Sequence, residues 1–407
     1  MVETITRLIG PFSQIITFAG AGLKGPLYDN DLSIVRDGAV LVRGGEIQSV
    51  GTFAQLSREF PQVEVEHIGY KAVLVPGLID CHTHICFAGS RSQDYDLKLQ
   101  GKTYLEIAKQ GGGIRRTVGY TRQATGGELM NGILGRADRH FAEGVTTIEV
   151  KSGYGLTVAD EIKMLRAISE AATLCRSTLV ATCLAAHTVP VEFEGRGSAY
   201  LDLVKQELLP LVKNEGLAQR VDIFVEDTAF TIAEAQDYLS FAAGLGFGHT
   251  VHADQFTPGG AKLAVQMGSL SADHLEASSG HDIAALANSN TVAVVLPGAS
   301  LGLGIAFAPA RKLLDAGCCL AIASDWNPGS APMGDLLVQA SVLSIYEKMN
   351  FSETFAGLTF RAARALGLSD RGRLAPGQLA HMIAFPSDDY REILYHQGKM
   401  KPAMVWA

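Results

Sequence analysis

The chain has 407 residues, of which 47% are hydrophobic and 19% are charged, and its formal net charge is -8. This length accommodates one large α/β domain with a small satellite, and the composition is typical of a globular protein. The acidic balance and the lack of a basic run argue against a nucleic-acid partner. Because no stretch of about 18 apolar residues occurs, we also expect no membrane partner. The six cysteines form no Cys-x-x-Cys pair and no signal peptide is recognisable, which predicts a cytoplasmic protein.

Both ends of the chain have the patterns of β-strands. Residues 39–51 alternate around a Gly-Gly turn, which predicts a hairpin, and residues 63–68 repeat with a period of two. The C-terminal tail is too short to fold alone. We therefore predict that residues 1–70 and 369–407 together build a small β-sandwich domain beside a larger domain at 71–368.

Between these ends, apolar strands that finish in polar residues alternate with helical patterns. The predicted strands are residues 73–84, 146–152, 178–187, 221–226, 248–254, 271–276, 291–297 and 319–325. Eight such units in succession predict an α/β fold of the (β/α)8 TIM-barrel type. The active site of such a barrel lies at the C-terminal ends of the strands. The long insert after the first strand, residues 85–145, should form a lid or a pocket wall.

Several predicted strand ends carry residues that bind metals. His82 and His84 end the first strand, and the alternation of strand side chains directs both to one face. His252 ends the fifth strand and Asp325 the eighth, whereas His249 should face away and pack elsewhere. Zinc-class metals accept imidazole and carboxylate ligands, and catalytic sites keep one position open for water. We predict one metal ion held by His82, His84, His252 and Asp325.

This arrangement resembles the amidohydrolase superfamily, in which a His-x-His pair follows the first strand and an aspartate follows the eighth. Binuclear members use a carboxylated lysine on the fourth strand. Here the fourth strand has no lysine and Lys151 lies on the second, which favours a single metal ion. Within the superfamily the chain resembles the imidazolonepropionase family, on the motifs at 149–156, 186–187, 252–255, 271–275 and 324–330. The Lys-Ser-Gly-Tyr-Gly run within the first of these is the most family-specific.

The resemblance implies hydrolysis of 4-imidazolone-5-propanoate to N-formimidoyl-L-glutamate, a step of histidine degradation, by a metal-activated water that attacks the ring carbonyl. The metal would be zinc or iron, as a divalent or trivalent ion, and the ligand types do not separate the two. Related proteins with this domain arrangement often form homodimers. Asp325 would also accept a proton from the water, and His274 would transfer a proton or stabilise the oxyanion. A role of His274 as a further metal ligand stays open.

The remaining candidate residues would bind the substrate. Arg91 matches the substrate arginine of the family and suits a propanoate group, because a guanidinium binds carboxylates bidentately. Tyr154 would form an aromatic wall, and His187 would bond to the substrate carbonyl or ring. After the metal-binding aspartate, Asn327, Gly329 and Ser330 would line the same pocket. Tyr95 and Tyr104 are further candidates for lid contacts.

Gln255 separates two enzymatic alternatives. Related aminohydrolases that deaminate purines or pyrimidines carry a glutamate at this position, three residues after the histidine of the fifth strand, and so do many imidazolonepropionases. A glutamine cannot titrate, so Gln255 would orient the imidazolone ring by hydrogen bonds. An aminohydrolase acting on guanine or cytosine is thus disfavoured, and the release of ammonia would reveal it. A third interpretation is a barrel that binds a metal ion without catalysing a reaction, and the presence of His274 is evidence against it.

Overall fold

The computed structural model describes residues 5–102, 106 and 111–407, so Tyr104 lies outside the described part of the chain. The strands are β1 Thr6–Ile16, β2 Ile34–Arg43, β3 Glu46–Thr52, β4 Glu64–His67, β5 Val73–Pro76, β6 Leu78–Asp80, β7 Val145–Lys151, β8 Thr178–Ala186, β9 Arg220–Ile223, β10 Gly248–Ala253, β11 Ser271–His274, β12 Val292–Val295, β13 Leu320–Ile322, β14 Met382–Phe385 and β15 Met404–Trp406.

The α-helices are Phe53–Glu59, Ser92–Leu99, Ile114–Gln123, Gly126–Ala142, Val158–Leu174, Gly197–Leu203, Leu209–Asn214, Ile232–Gly244, Gly260–Met267, Gly280–Ala287, Pro297–Leu303, Ala310–Asp315, Leu336–Glu347, Phe351–Leu358, Phe360–Ala365 and Arg391–Tyr395. Several begin at capping boxes. Thr125 accepts the backbone N–H of Glu128 while the glutamate side chain accepts from Thr125, and Thr231 and Glu234 repeat this arrangement. None of the helices in the described part of the chain has the length and apolar character needed to cross a bilayer.

The eight strands β6 to β13 form one parallel sheet in chain order, which confirms the predicted (β/α)8 barrel. The ends of β6 and β13 meet, because Thr83 forms a parallel bridge with Trp326. His84 N–H donates to the Trp326 carbonyl at 2.9 Å, and Asp325 N–H donates to the His82 carbonyl at 3.1 Å. The near closure of the barrel therefore brings the His-x-His segment beside the aspartate of the last strand.

The predicted first strand, residues 73–84, is in fact two strands in different sheets. β5 pairs with β1 and β14, whereas β6 pairs with β7 of the barrel. The chain changes sheets at Gly77, where a Cβ atom would lie 2.3 Å from Thr146 Oγ1. His82 and His84 follow β6 rather than belonging to it. The parallel bridge between Thr83 and Trp326 carries the strand pairing past the end of β6, so that both histidine rings lie on one face.

The second sheet unites the two chain ends, as predicted. Its order is β15-β14-β5-β1-β2-β3, with β4 paired to β1, so that strands from both chain ends form one mixed sheet of seven. Phe12, Val40 and Met382 contribute buried side chains to its core. The exact limits of the domains, at residues 70 and 369, stay a prediction. The sheet lies beside the barrel and leaves the C-terminal strand ends free for the site.

Candidate metal centre and substrate cavity

Four buried side chains bring potential metal-binding atoms together at the C-terminal end of the barrel. His84 Nε2 lies 3.2 Å from His82 Nε2 and 3.3 Å from His252 Nε2. Asp325 Oδ1 lies 3.3 Å from His84 Nε2 and 3.6 Å from His82 Nε2. These are the four residues that the sequence predicted as ligands, and the three histidines form a compact cluster. The same analysis placed His249 outside the site, and its Nδ1 indeed bonds to Ser269 Oγ at 2.8 Å.

The outer nitrogens of two of these histidines contact buried carboxylates. His82 Nδ1 lies 2.7 Å from Asp273 Oδ2, and His252 Nδ1 lies 2.8 Å from Asp222 Oδ2. A carboxylate accepts a proton-bearing nitrogen, so each Nδ1 donates and each Nε2 presents a lone pair to the centre. Converging lone pairs at these distances repel one another unless a cation lies between them. The donor set therefore fits a metal ion.

Burial and neighbouring charges keep the imidazoles of His82 and His252 neutral, as metal ligands must be. Burial, with the repulsion of Lys151 and of the adjacent histidines, holds the pKa of His82 well below its usual value. Burial also lowers the pKa of His252 to about 4, although Asp222 opposes the shift. For Asp325 burial raises the pKa, but the contact with His84 and the nearby histidines outweigh it, so that the net pKa is lowered. Neutral imidazoles of His82 and His252 beside the carboxylate of Asp325 result.

The backbone around Asp325 is held in a strained form. Asp325 has φ +51°, in the left-handed region that side chains other than glycine rarely adopt. Asn327 Nδ2 donates to Asp325 Oδ2 at 2.9 Å and lies 3.0 Å from Ser330 Oγ, while Asn327 Oδ1 accepts the N–H groups of Gly329 and Ser330 at 2.8 Å each. One carboxylate oxygen of Asp325 thus faces the histidines, and the other is fixed by its own loop.

A cavity of about 410 Å³ opens above the histidines. Most of the residues predicted for the site line it, namely His84, Arg91, Tyr154, His187, His252, Gln255, His274, Asp325, Asn327, Gly329 and Ser330. His82 lies beneath them. Among the additional lining residues, Tyr95 was expected as a lid contact, whereas Lys98 and Phe224 were not expected. The volume lies within the usual range for a small-molecule site.

His274, His187 and Tyr154 surround the metal-binding cluster. The His274 ring centre lies 5.3 Å from that of His252, and its Nδ1 is 3.5 Å from Glu276 Oε2. Burial lowers the pKa of His274, but Glu276 and further carboxylates raise it by more, so that the net pKa exceeds the usual value. His187 stacks on His84 with ring centres 5.1 Å apart, and Tyr154 lies 5.4 Å from His187.

The loop that carries Tyr154 is held by a buried carboxylate. Glu161 accepts hydrogen bonds from the N–H groups of Gly153, Gly155 and Leu156, at 3.1, 2.8 and 2.8 Å. A carboxylate that accepts several backbone N–H groups forms strong, charge-assisted bonds. Sequence reasoning did not predict this role of Glu161 in holding the loop, although the residue closely follows the Lys-Ser-Gly-Tyr-Gly motif.

Arg91 lines the cavity beside Gly329, which lies in the loop that follows Asp325. Its Nε donates to Asp94, and its Nη1 lies 3.4 Å from Thr117 Oγ1. Lys98 and Lys102 also line the cavity, so the wall is cationic although the whole chain is acidic. Such a local excess of positive charge suits a small anionic ligand.

Sequence reasoning also missed the layer of carboxylates behind the ligands. Asp273 and Asp222 carry no separate signal, since each lies within a strand of apolar residues. Asp273 directly precedes His274, and Asp222 lies one residue after the start of the predicted fourth strand. A rule that strands of a metal-binding barrel supply carboxylates behind histidines would have indicated both residues.

Comparison with known proteins agrees with this geometry. The model of the amidohydrolase family matches residues 73–407. The chain is 41% identical over 404 residues to an imidazolonepropionase of Symbiobacterium thermophilum, with 98% of this chain and 95% of the relative covered. It is 44% identical over 379 residues to an imidazolonepropionase of Deinococcus radiodurans, with 92% of each chain covered.

Solved structures share the fold at lower identity. A triazine hydrolase variant superposes with a TM-score of 0.76 at 19% identity, covering 99% of this chain and 93% of that chain. An adenosine deaminase from Xanthomonas campestris with bound zinc gives a TM-score of 0.66 at 16% identity, covering 99% and 91%. At these identities the likeness concerns the fold alone.

Proposed function

The chain belongs to the amidohydrolase family, and within it to the imidazolonepropionases, and we propose that it hydrolyses 4-imidazolone-5-propanoate to N-formimidoyl-L-glutamate in histidine degradation. One observation carries the assignment to this site. The histidines and aspartate converge in a cavity that Arg91, Lys98 and Lys102 also line, so a ring carbonyl can lie at the centre while a carboxylate contacts a cation.

We assign His82, His84, His252 and Asp325 as the residues that hold the metal ion. This assignment is supported by the convergence of four donor atoms and by the carboxylates that contact the outer nitrogens of His82 and His252. Such an ion lowers the pKa of water towards about 7 and polarises a carbonyl group. Zinc and iron both accept this ligand set, and we propose one of the two as the native ion.

The reaction adds the oxygen of one water molecule to the ring carbonyl carbon and breaks the bond between this carbon and the adjacent ring nitrogen. One proton of the water passes to that nitrogen, and the other leaves the new carboxylic acid group for solvent, so that the carbonyl carbon ends as a carboxylate. Asp325 is suited to accept the proton, since one of its oxygens faces the centre and its lowered pKa keeps the group ionised. His274, whose pKa is raised, is suited to donate to the developing oxyanion or to the leaving nitrogen.

The substrate would be oriented by contacts at both of its ends. Arg91 would bind the propanoate, and Tyr154 and His187 would pack against the ring. Gln255 would donate to or accept from the ring without exchanging a proton, because an amide does not titrate. This division of roles leaves proton transfer to Asp325 and His274.

We further propose that the protein is a cytoplasmic homodimer. All six cysteines are unpaired, which agrees with a reducing compartment. Large apolar side chains are exposed on two helices in mutual contact, at Leu301, Ile345 and Tyr346, and a second copy could cover them. Sedimentation of the purified protein measures the oligomeric state directly, and a monomer at micromolar concentration would exclude the dimer.

A spectrophotometric assay tests the reaction. Protein loaded with zinc or iron should remove the absorbance of freshly generated 4-imidazolone-5-propanoate without releasing ammonia. His274→Ala and Asp325→Asn should abolish this activity, whereas His249→Gln alters a histidine of the same strand as His252 that lies outside the site and should keep it. Metal-loaded protein without turnover would exclude this substrate, and ammonia release would indicate an aminohydrolase instead.

A further inference from the structure

Asp94 is a buried carboxylate at the rim of the cavity for which sequence analysis predicted no role. Its side chain is 7% exposed. It accepts hydrogen bonds from Arg91 Nε, from Arg116 Nη1 at 2.7 Å and from the Gly113 N–H at 2.8 Å. One carboxylate thus joins the residue before the helix Ser92–Leu99 to the start of the helix Ile114–Gln123.

These bonds restrict the orientation of the Arg91 guanidinium. Asp94 holds the Nε side of the group, and Thr117 Oγ1 lies 3.4 Å from Nη1. Nη1 also borders Gly329, since a Cβ atom on that glycine would lie 3.3 Å away. The terminal nitrogens therefore face the cavity beside the loop that carries Asp325. A planar guanidinium binds a carboxylate well only when its terminal donors have the right direction.

We propose that Asp94 is a positioning residue, which orients Arg91 for the carboxylate of the substrate. This inference rests on the proposed function, because it assumes an anionic group at Arg91. Specificity for the carboxylate of the substrate then depends on Arg91 and Asp94 together rather than on Arg91 alone. Arg116 supplies a second cation to Asp94, so that the cluster of Arg91, Arg116 and Asp94 keeps one net positive charge for the ligand.

Simple electrostatics and positioning predict opposite effects when the charge of Asp94 is removed. Asp94 is a negative group at the cavity, so its neutralisation in Asp94→Asn should strengthen the attraction of any anion. If Asp94 acts through the orientation of Arg91, the same substitution weakens the binding of a carboxylate. The sign of the change in affinity therefore separates the two effects.

The experiment measures binding by isothermal titration calorimetry to the metal-loaded full-length protein and does not depend on turnover. The probes are 3-(imidazol-4-yl)propanoate and 4-ethylimidazole, which share the ring and differ in the carboxylate. Asp94→Asn should raise the Kd of the first probe about tenfold, as expected for a charge-assisted contact, and leave the Kd of the second unchanged. Asp96→Asn is the matched control, since the side chain of this exposed aspartate of the same helix accepts from Gln100 and makes no bond to Arg91 in the described part of the chain, and it should change neither Kd.

The outcomes separate this inference from the proposed function. Tighter or unchanged binding of the propanoate probe to Asp94→Asn would overturn the positioning role, and so would an equal loss of affinity for both probes. If the wild-type protein does not prefer the propanoate probe, the proposed substrate class fails instead. Should Asp94→Asn not fold, Asp94→Glu keeps the charge and displaces the oxygens by one methylene. It is expected to lose part of the preference for the propanoate probe, and retention of the full preference would refute the proposal.

Discussion

Gly302→Ala tests whether close packing of backbone on backbone holds the loop that carries Asp325. Gly302 lies in the helix Pro297–Leu303, and a Cβ atom there would lie 1.5 Å from the carbonyl oxygen of Ser330. Real Cβ atoms essentially never come within 3.0 Å of a neighbour, so the helix and the loop must separate by about 1.5 Å. The obstructing atom belongs to the backbone and cannot rotate away.

A displacement of Ser330 should reach the metal-binding aspartate. Asn327 accepts the N–H of Ser330 at 2.8 Å and donates to Asp325 Oδ2 at 2.9 Å. A misplacement of about 1 Å at a catalytic group can cost roughly 100-fold in rate. Overpacking of a tight contact costs about 1–3 kcal/mol of stability. We therefore expect Gly302→Ala to lower kcat/KM about 100-fold and to reduce the free energy of unfolding by that amount.

Steady-state turnover and urea unfolding of the same preparations measure both effects. Gly135→Ala is the matched control, because Gly135 lies within the helix Gly126–Ala142 and an added Cβ would meet nothing within 4 Å. It should keep full activity and gain about 0.5–1 kcal/mol, since alanine is the better helix former. Wild-type activity and stability in Gly302→Ala would refute the reasoning. A loss of stability with full activity would show that the helix moves instead of the loop.

Three further predictions concern the metal centre and a buried histidine. Asp222→Asn should weaken metal binding about 10–100-fold, because the substitution removes the carboxylate that orients His252. Metal competition titrations measure the affinity, and an unchanged affinity would contradict this prediction. Removal of the metal by a chelator should lower the melting temperature, and adding zinc or iron should restore it. A free metal concentration of about 100 times Kd adds about 2.7 kcal/mol to the free energy of unfolding. An unchanged melting temperature would argue against a resident ion. Burial lowers the pKa of His140, but Asp80 and Glu143 raise it by more, so the net pKa is raised. The stabilisation from this pairing should be complete below about pH 6.5 and be lost as the pH rises through the raised folded-state pKa. His140→Gln should therefore flatten the decline of unfolding free energy above about pH 6.5, and an equal decline in both proteins would refute this.

The barrel was predictable because its strands are short segments of mainly buried residues that alternate with helical patterns along the chain. β12, Val292–Val295, is buried at every position, and periodicity alone indicates such a segment. The convergence of His82, His84, His252 and Asp325 was predictable for the same reason, since a barrel collects all its strand ends at one face. The division at Gly77 was not, because the apolar residues continue through it. Only contact with Thr146, about 70 positions later, shows that the chain must change sheets there.

The residues that orient the ligands could not be predicted because their partners are remote in the chain. Asp273 lies 191 positions from His82, and no local pattern relates the two. Arg91 and Asp94 are close in sequence, but the bond from Arg116 that completes their cluster crosses the insert. Sequence reasoning therefore indicated the histidines, aspartate and arginine proposed to contact the metal or substrate. It missed the residues, such as Asp273 and Asp94, that contact these side chains from behind.

The charges beneath the metal centre explain how these orienting groups stay effective when buried. Lys151 Nζ lies 2.7 Å from Glu149 Oε1 and 2.9 Å from Asp222 Oδ2, and Arg220 lies 3.1 Å from the same glutamate oxygen. Two cations thus face two carboxylates inside the barrel, where an unpaired charge would cost several kcal/mol. Burial raises the pKa of Asp222, but His252 and Lys151 lower it by more, so the net pKa is lowered and the group stays ionised. Because Asp222 is ionised, His252 keeps its proton on Nδ1 and presents the lone pair of Nε2 to the metal. The fourth barrel strand thus supplies no lysine ligand, but Lys151 of the second strand contributes indirectly. It pairs with Asp222, the carboxylate that contacts His252.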